Sequence, residues 1–126
     1  MPLITLTTNV NLASDEATKA FVSEFSKFCA KTIEKDESAF SVNFIYNPYL
    51  TFAGTFDPAI MLNTLSLFNT NPENSKKWSK AFSEFFQEKL GVSPDRGYMA
   101  FLDAGPAFIG SKGSTVEALR AAASAK

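Results

Sequence analysis

Histidine is absent from this chain, and cysteine occurs once, as Cys29. The first absence removes the side chain that most readily acts as a base near neutral pH, and with it the commonest metal ligand. A zinc or other transition-metal site has almost nothing to draw on, so neither metal nor cofactor is expected. A single thiol cannot close an internal disulfide, and Cys29 is expected in the core. Long apolar runs are missing too: none approaches the roughly 18 residues of a membrane span. Met1-Pro2-Leu3-Ile4 lacks the charged start and long apolar centre of a secretion signal, so a cytosolic location is expected, with export by a signal-independent route left open. Charge of one sign is not in excess either. Lys and Arg number 12 against 13 Asp and Glu, for a net charge of −1, and the signs are interspersed. Nucleic acid and anionic membrane are therefore not expected partners.

What is present fits one domain: 126 residues, 45% of them hydrophobic, suffice for a real core. The residue that stands out is Pro2. Methionine is normally trimmed ahead of a small residue such as proline, which leaves a secondary amine on a ring of fixed φ. An α-amino group titrates near about 7.7–8.0, and modest burial or a neighbouring positive charge would leave it unprotonated. Met1, if retained, converts that nitrogen into an amide without a basic lone pair.

Periodicity divides the chain into two similar halves, each strand, helix, strand. Leu3 to Thr8 alternates as a strand. Ser14 with Asp15 and Glu16 opens a helix whose apolar face is Phe21, Phe25, Phe28, Cys29 and Thr32. Ala39 to Tyr46 is a second strand, stopped by Asn47-Pro48. In the other half a strand runs from Pro58 through Leu67. Thr70 and Glu73 have capping-box spacing before a helix that buries Trp78, Ala81, Phe82, Phe85 and Leu90 and ends at Gly91. Tyr98 to Leu102 answers as a strand, and Gly105-Pro106 turns the chain into a short one at Ala107 to Ile109. The expected fold class is α/β: two βαβ units forming a four-stranded sheet with both helices on one face. The other face then needs company, and oligomerisation would supply it. Thirteen phenylalanines serve either subunit contacts or simply an aromatic core, and composition does not separate the two.

These residues resemble the macrophage migration inhibitory factor and D-dopachrome tautomerase family of the tautomerase superfamily. The similarity is carried by Met1-Pro2-Leu3-Ile4, Thr8-Asn9-Val10, Phe52-Ala53-Gly54, Asp57-Pro58-Ala59, Ser93-Pro94-Asp95-Arg96 with Tyr98, and the Gly-x-x-x-Ser-Thr pattern of Gly110 to Thr115. Their order and spacing agree over residues 2 to 116. The resemblance implies a tautomerase-like domain over 1–116, with 117–126 as a C-terminal extension, assembled as a homotrimer whose sheets line a central barrel. It implies an isomerase (an intramolecular oxidoreductase) that interconverts keto and enol forms of phenylpyruvate-like α-keto acids, with dopachrome-type compounds as test substrates.

Position by position, the resemblance makes Pro2 the catalytic base. It gives Lys35 the substrate carboxylate, with a charge that lowers the pKa of the amine; on the residues alone, Glu34-Lys35-Asp36-Glu37 reads rather as an ordinary solvated turn. Ser66 and Leu67 fall in the pocket, Leu67 through a backbone amide and an aliphatic side chain. Ile109 and Val116 line an apolar mouth. Tyr98 matches a tyrosine that reaches in from a neighbouring subunit and donates to the carbonyl oxygen. Ala100 replaces an asparagine of mammalian members, Ser111 an aromatic residue and Leu65 a histidine, so activity is expected to be weaker or retuned. Ala59 and Leu62 stand where mammalian members have paired cysteines, which removes thiol-disulfide chemistry. A second function class stays open: a cytokine-like ligand for a receptor or intracellular protein, keeping the pocket as a remnant. Ser114 and Glu117 have capping-box spacing before an alanine-rich tail that either shields the pocket or frays.

Overall fold

Alternating side chains set the strands, and 3.6-residue periodicity sets the helices that cover them. The computed structural model describes residues 1–125. Its elements are β1 (Leu3–Thr8), α1 (Asp15–Ile33), a 3-10 turn (Glu37–Ala39), β2 (Ser41–Tyr46), β3 (Ile60–Leu65), α2 (Pro72–Leu90), β4 (Gly97–Leu102), a 3-10 turn (Pro106–Phe108), β5 (Gly110–Ser111), β6 (Ser114–Thr115) and α3 (Val116–Ser124). The main sheet is four-stranded in the order β2-β1-β3-β4. β1 runs parallel to β2, β3 runs parallel to β4, and the two units meet through antiparallel β1 and β3. Among the described residues, no helix is long and apolar enough to cross a membrane.

Helix ends follow local chemistry, with two corrections. Ser14 caps α1 by accepting from the Ala17 amide at 3.1 Å. Asn71, rather than Thr70, caps α2 by accepting from the Asn74 amide at 2.8 Å, because the Thr70 hydroxyl is already donating to the Ser66 carbonyl at 2.7 Å. Gly91 closes α2 in the left-handed region, where glycine carries no Cβ penalty. Thr115, rather than Ser114, caps α3.

The strand expected at Ala107 to Ile109 is instead a 3-10 turn. The extended residues come later, as a minimal hairpin turned at Lys112-Gly113, where both φ values are positive as a primed two-residue turn requires. The Pro58 to Leu67 strand is shorter than expected: only Ile60–Leu65 is in the sheet, and Ser66-Leu67 already belongs to the turn beyond it. β2 likewise starts at Ser41, after the turn that takes up Glu37–Ala39.

Inward residues of the sheet, including Ile4, Leu6, Ile60 and Leu62, meet both helices in one aromatic-rich core. Phe21, Phe25, Phe82, Phe85 and Phe86 are buried in it, and Phe28, Phe40, Phe44 and Phe101 pack against it. Phe28 stacks on Phe85 with centroids 4.3 Å apart, tying the middle of α1 to the middle of α2. The aromatic core thus takes most of the phenylalanines, at roughly 1.5–3 kcal/mol of burial each. Phe56, Phe68 and Phe108 remain exposed. Cys29 is fully buried, as expected.

The opposite face of the sheet is bare. Its register lines side chains up in rows: Ser41, Leu3, Leu65 and Leu102 at one end; Asn43, Thr5, Asn63 and Ala100 across the middle; Ile45, Thr7, Met61 and Tyr98 at the other end. Two largely apolar rows therefore flank a largely polar one.

Candidate active site

Because α1 and α2 run back against their preceding strands, the end of α1 and the start of α2 come to the sheet end where β1 and β2 begin. Pro2 lies there with its ring buried, and its carbonyl accepts from the Ser41 amide at 3.1 Å. The ring borders a cavity of about 290 Å³ whose wall includes Leu3, Ala39, Phe108, Ile109 and Ser111. The α-amine at the chain start, here on Met1, is held below its ordinary range, first by desolvation and then by the charge of Lys35.

Lys35 reaches this end because Glu34 ends α1 in a left-handed conformation, φ 61°. The reversal sends the next side chain back over the sheet end, where its ammonium donates to the Leu67 carbonyl at 2.5 Å. Desolvation pulls the Lys35 pKa down, and the Asp103 carboxylate opposes that. Asp103 was not anticipated from sequence. Its two oxygens accept from the Phe68 amide and the Gly105 amide, each at 2.9 Å, which fixes both chain reversals beside Lys35. Those backbone donors, ahead of Lys35, keep its carboxyl below the usual carboxylate range. The signal available in the sequence was an aspartate two residues before Gly105, the spacing of an Asx turn. Phe108, exposed on the cavity wall, was also missed.

The remaining candidates divide. Leu67, Ile109 and Val116 form a small buried cluster of their own, with Leu65 and Ala104 against it. Ile109 lines the Pro2 cavity, whereas Val116 supports it from behind. Leu67 engages Lys35 through its carbonyl rather than its amide. The buried Ser66 hydroxyl donates to Asn69 Oδ1 at 2.6 Å, inside the turn that leads to Leu67.

The tail packs rather than frays. α3 starts on the Val116 cluster, and the Arg120 guanidinium lies 4.3 Å from the centroid of the Phe68 ring. Lys126 lies outside the described residues.

Tyr98 is not brought to Pro2 within one chain. It occupies the far row of the sheet, four residues along β4 from Leu102, whose row contains Leu3. At roughly 3.3 Å per residue this separates the two groups by more than a side chain's reach. Tyr98 is 79% exposed and borders a hollow with Phe52 and Met61. Arg96 holds that hollow's outer loop, donating to the carbonyls of Phe52 (2.8 Å), Asp57 (2.9 Å) and Pro58 (3.3 Å), with its guanidinium 5.3 Å from the Phe52 ring centroid. Asn9 pins the same loop through Leu50, Phe56, Asp57 and Ala59. Two sequence motifs thereby acquire a structural meaning. An Arg96→Met change, which keeps the stem and loses the donors, is expected to cost about 2–3 kcal/mol, since hydrogen bonds from charged groups contribute about 1.5–3 each and these are partly solvated. Chemical denaturation of both proteins checks it.

The family model of macrophage migration inhibitory factor matches residues 1–117. Macrophage migration inhibitory factor of Rattus norvegicus is 30% identical over 115 residues, covering 91% of this chain and 98% of its own. A macrophage migration inhibitory factor homologue of Trichuris trichiura is 31% identical, covering 91% and 99%. Among solved structures, the macrophage migration inhibitory factor of Trichinella spiralis superposes with a TM-score of 0.80 at 23% identity, covering 90% of this chain and 98% of that one. Its likeness bears on the fold: the same sheet and helix arrangement. With the match running from Met1 to the start of α3, the chain belongs to the macrophage migration inhibitory factor family of the tautomerase superfamily.

Proposed function

We propose that this protein is a keto–enol tautomerase for phenylpyruvate-like α-keto acids, using the Pro2 nitrogen as base once Met1 is removed. Family membership supports isomerase chemistry in general. The observation that carries the finer reading is the place of Pro2: its ring is buried at the cavity, and the amine one residue further out, on Met1, is already biased toward its neutral form by desolvation and the Lys35 charge.

In this reading the Pro2 nitrogen takes a proton from the carbon next to the substrate carbonyl. The electron pair of that C–H bond moves into the enolate, and the prolinium returns the proton to the oxygen to give the enol. Lys35 holds the substrate carboxylate, and Ile109 with Phe108 gives the aromatic end an apolar wall. Tyr98 of a neighbouring protomer donates to the carbonyl oxygen as charge develops there, a contact that favours the transition state over the ground state. The bare sheet face, with its apolar rows, supports a homotrimer that would bring Tyr98 to another chain's Pro2.

The test is enolisation of phenylpyruvate by purified protein whose intact mass lacks Met1. No turnover at any enzyme concentration would leave the binding-protein reading, which the replacements at Ala100 and Ser111 favour. Sedimentation should give a particle of three times 13.7 kDa. Tyr98→Phe should lower kcat/KM by about 5–10-fold, the worth of roughly one hydrogen bond. Mixed oligomers of Tyr98→Phe and Pro2→Gly chains should recover activity above the mean of the two parents. Failure of that recovery would place both residues' work within one chain.

A further inference from the structure

On the helix layer, at the same end of the fold as the Pro2 cavity but sharing no lining residue with it, α1 and α2 part toward the end of α1. The Phe28–Phe85 stack holds them at mid-length. Beyond it the facing residues are small, Thr32 and Ala81, and the helices leave a groove of about 630 Å³. That volume falls within the roughly 300–1,000 Å³ range of small-molecule sites. The groove is lined by the half-buried ring of Phe28 and by Ala81, with Trp78, only 4% exposed, at its floor. Its border carries Lys31, Lys35 and Lys77 against Glu34 alone, so the edge is net cationic over an apolar floor. The amides present are occupied inwardly: Asn69 donates to the Ile33 carbonyl and Asn74 to the Asn69 carbonyl.

We propose that this groove is a second binding site, separate from the Pro2 cavity, for an aromatic monocarboxylate of one or two rings. The ring lies against Phe28, with Trp78 at the floor beneath it, where an apolar contact needs no hydrogen-bond partner. The carboxylate lies toward Lys31 and Lys77, which exposed side chains can supply without leaving a buried charge unpaired. A cation is repelled by this rim, and a neutral ring loses the contribution of the lysines. Lys35 borders the groove, with its ammonium turned to Leu67.

Trp78 is the chain's single tryptophan, so its emission reports occupancy directly and requires no turnover. Titration with 4-phenylbutyrate should give a saturable change in that emission, and the isosteric neutral 4-phenylbutyramide should bind roughly tenfold or more weakly. The double reversal Lys31→Glu/Lys77→Glu lies on the surface and should weaken the acid roughly tenfold, as the sum of exposed charge contacts of modest individual worth. Ala81→Phe, which fills the groove, should abolish the signal while the melting transition stays cooperative. Pro2→Gly should leave it unchanged. Equal affinity for acid and amide, a signal indifferent to the reversals, or no signal at any concentration overturns the proposal. A signal that survives Ala81→Phe and disappears in Pro2→Gly also overturns it, by placing the ligand in the other cavity.

Discussion

Changing Pro2 to glycine in the mature protein is expected to lower kcat/KM for phenylpyruvate by about 10²–10⁴-fold, the usual contribution of a positioned general base. The substitution keeps an amine at the chain start but removes the ring whose burial fixes its direction. A glycine nitrogen gains rotational freedom about its own φ and keeps a stronger hold on water, so both alignment and desolvation suffer. In the unsubstituted protein the rate should rise with pH as the prolinium loses its proton. The midpoint is expected below the ordinary α-amino range, because the two influences that lower the Met1 amine, desolvation and the Lys35 charge, also act on a nitrogen one residue further in. Retaining Met1 is the sharper control: the side chains are unchanged, but the nitrogen is an amide and turnover should vanish. Initial rates across pH, on samples whose terminus is verified by intact mass, decide the matter. A glycine variant or a Met1-bearing sample as fast as the mature protein would rule out the assignment.

Removing the Lys35 ammonium is the second large effect. Lys35→Ala should reduce kcat/KM by about 10–100-fold, the range expected when a charge-assisted contact to a carboxylate is lost. Its signature distinguishes it from mere loosening of the turn. With the neighbouring positive charge gone, the amine holds its proton more tightly, so the acid limb of the rate profile moves to higher pH. Lys35→Arg should restore the position of that limb, since the charge returns, while restoring the rate less fully, because a planar guanidinium does not reproduce an ammonium's reach. A rate loss without movement of the limb would assign Lys35 a structural part only. The Leu67 carbonyl that it now engages would then be its reason for being there.

Much of this architecture was legible because local and tertiary preferences coincide. Ser14 ahead of two acids, Gly91 after a long amphipathic run and the alternation of Leu3 to Thr8 each state in a few residues what the whole chain does. The errors fall where tertiary contacts choose between local equals. Asn69, Thr70 and Asn71 are all competent caps, and the choice of Asn71 follows from Asn69 and Thr70 being drawn into the Ser66 turn. The direction of the Ser66 hydroxyl was hidden for the same reason: it has no preference until a partner such as Asn69 captures it. The 3-10 turn at Pro106–Phe108 replaced a strand because an apolar triplet after Gly-Pro carries no periodicity to read. Of the candidate site, Pro2 was visible from chemistry alone, whereas Lys35 and Tyr98 were visible through family resemblance. Asp103 was not, since what distinguishes it is the pair of amides it gathers from β4's exit and the Phe68 turn.

The solitary thiol has a practical consequence. Cys29 is enclosed by the aromatic core, and desolvation pushes its pKa well above the ordinary value, so it offers almost no thiolate to reagents in solution. A single cysteine placed on an exposed turn, such as Lys112→Cys, would therefore be the only group to accept a spin label or dye. In the proposed trimer, pairs of such labels on identical chains would turn inter-subunit distances into a spectroscopic ruler, and the arrangement of the copies could be tested without disturbing the residues assigned to its chemistry.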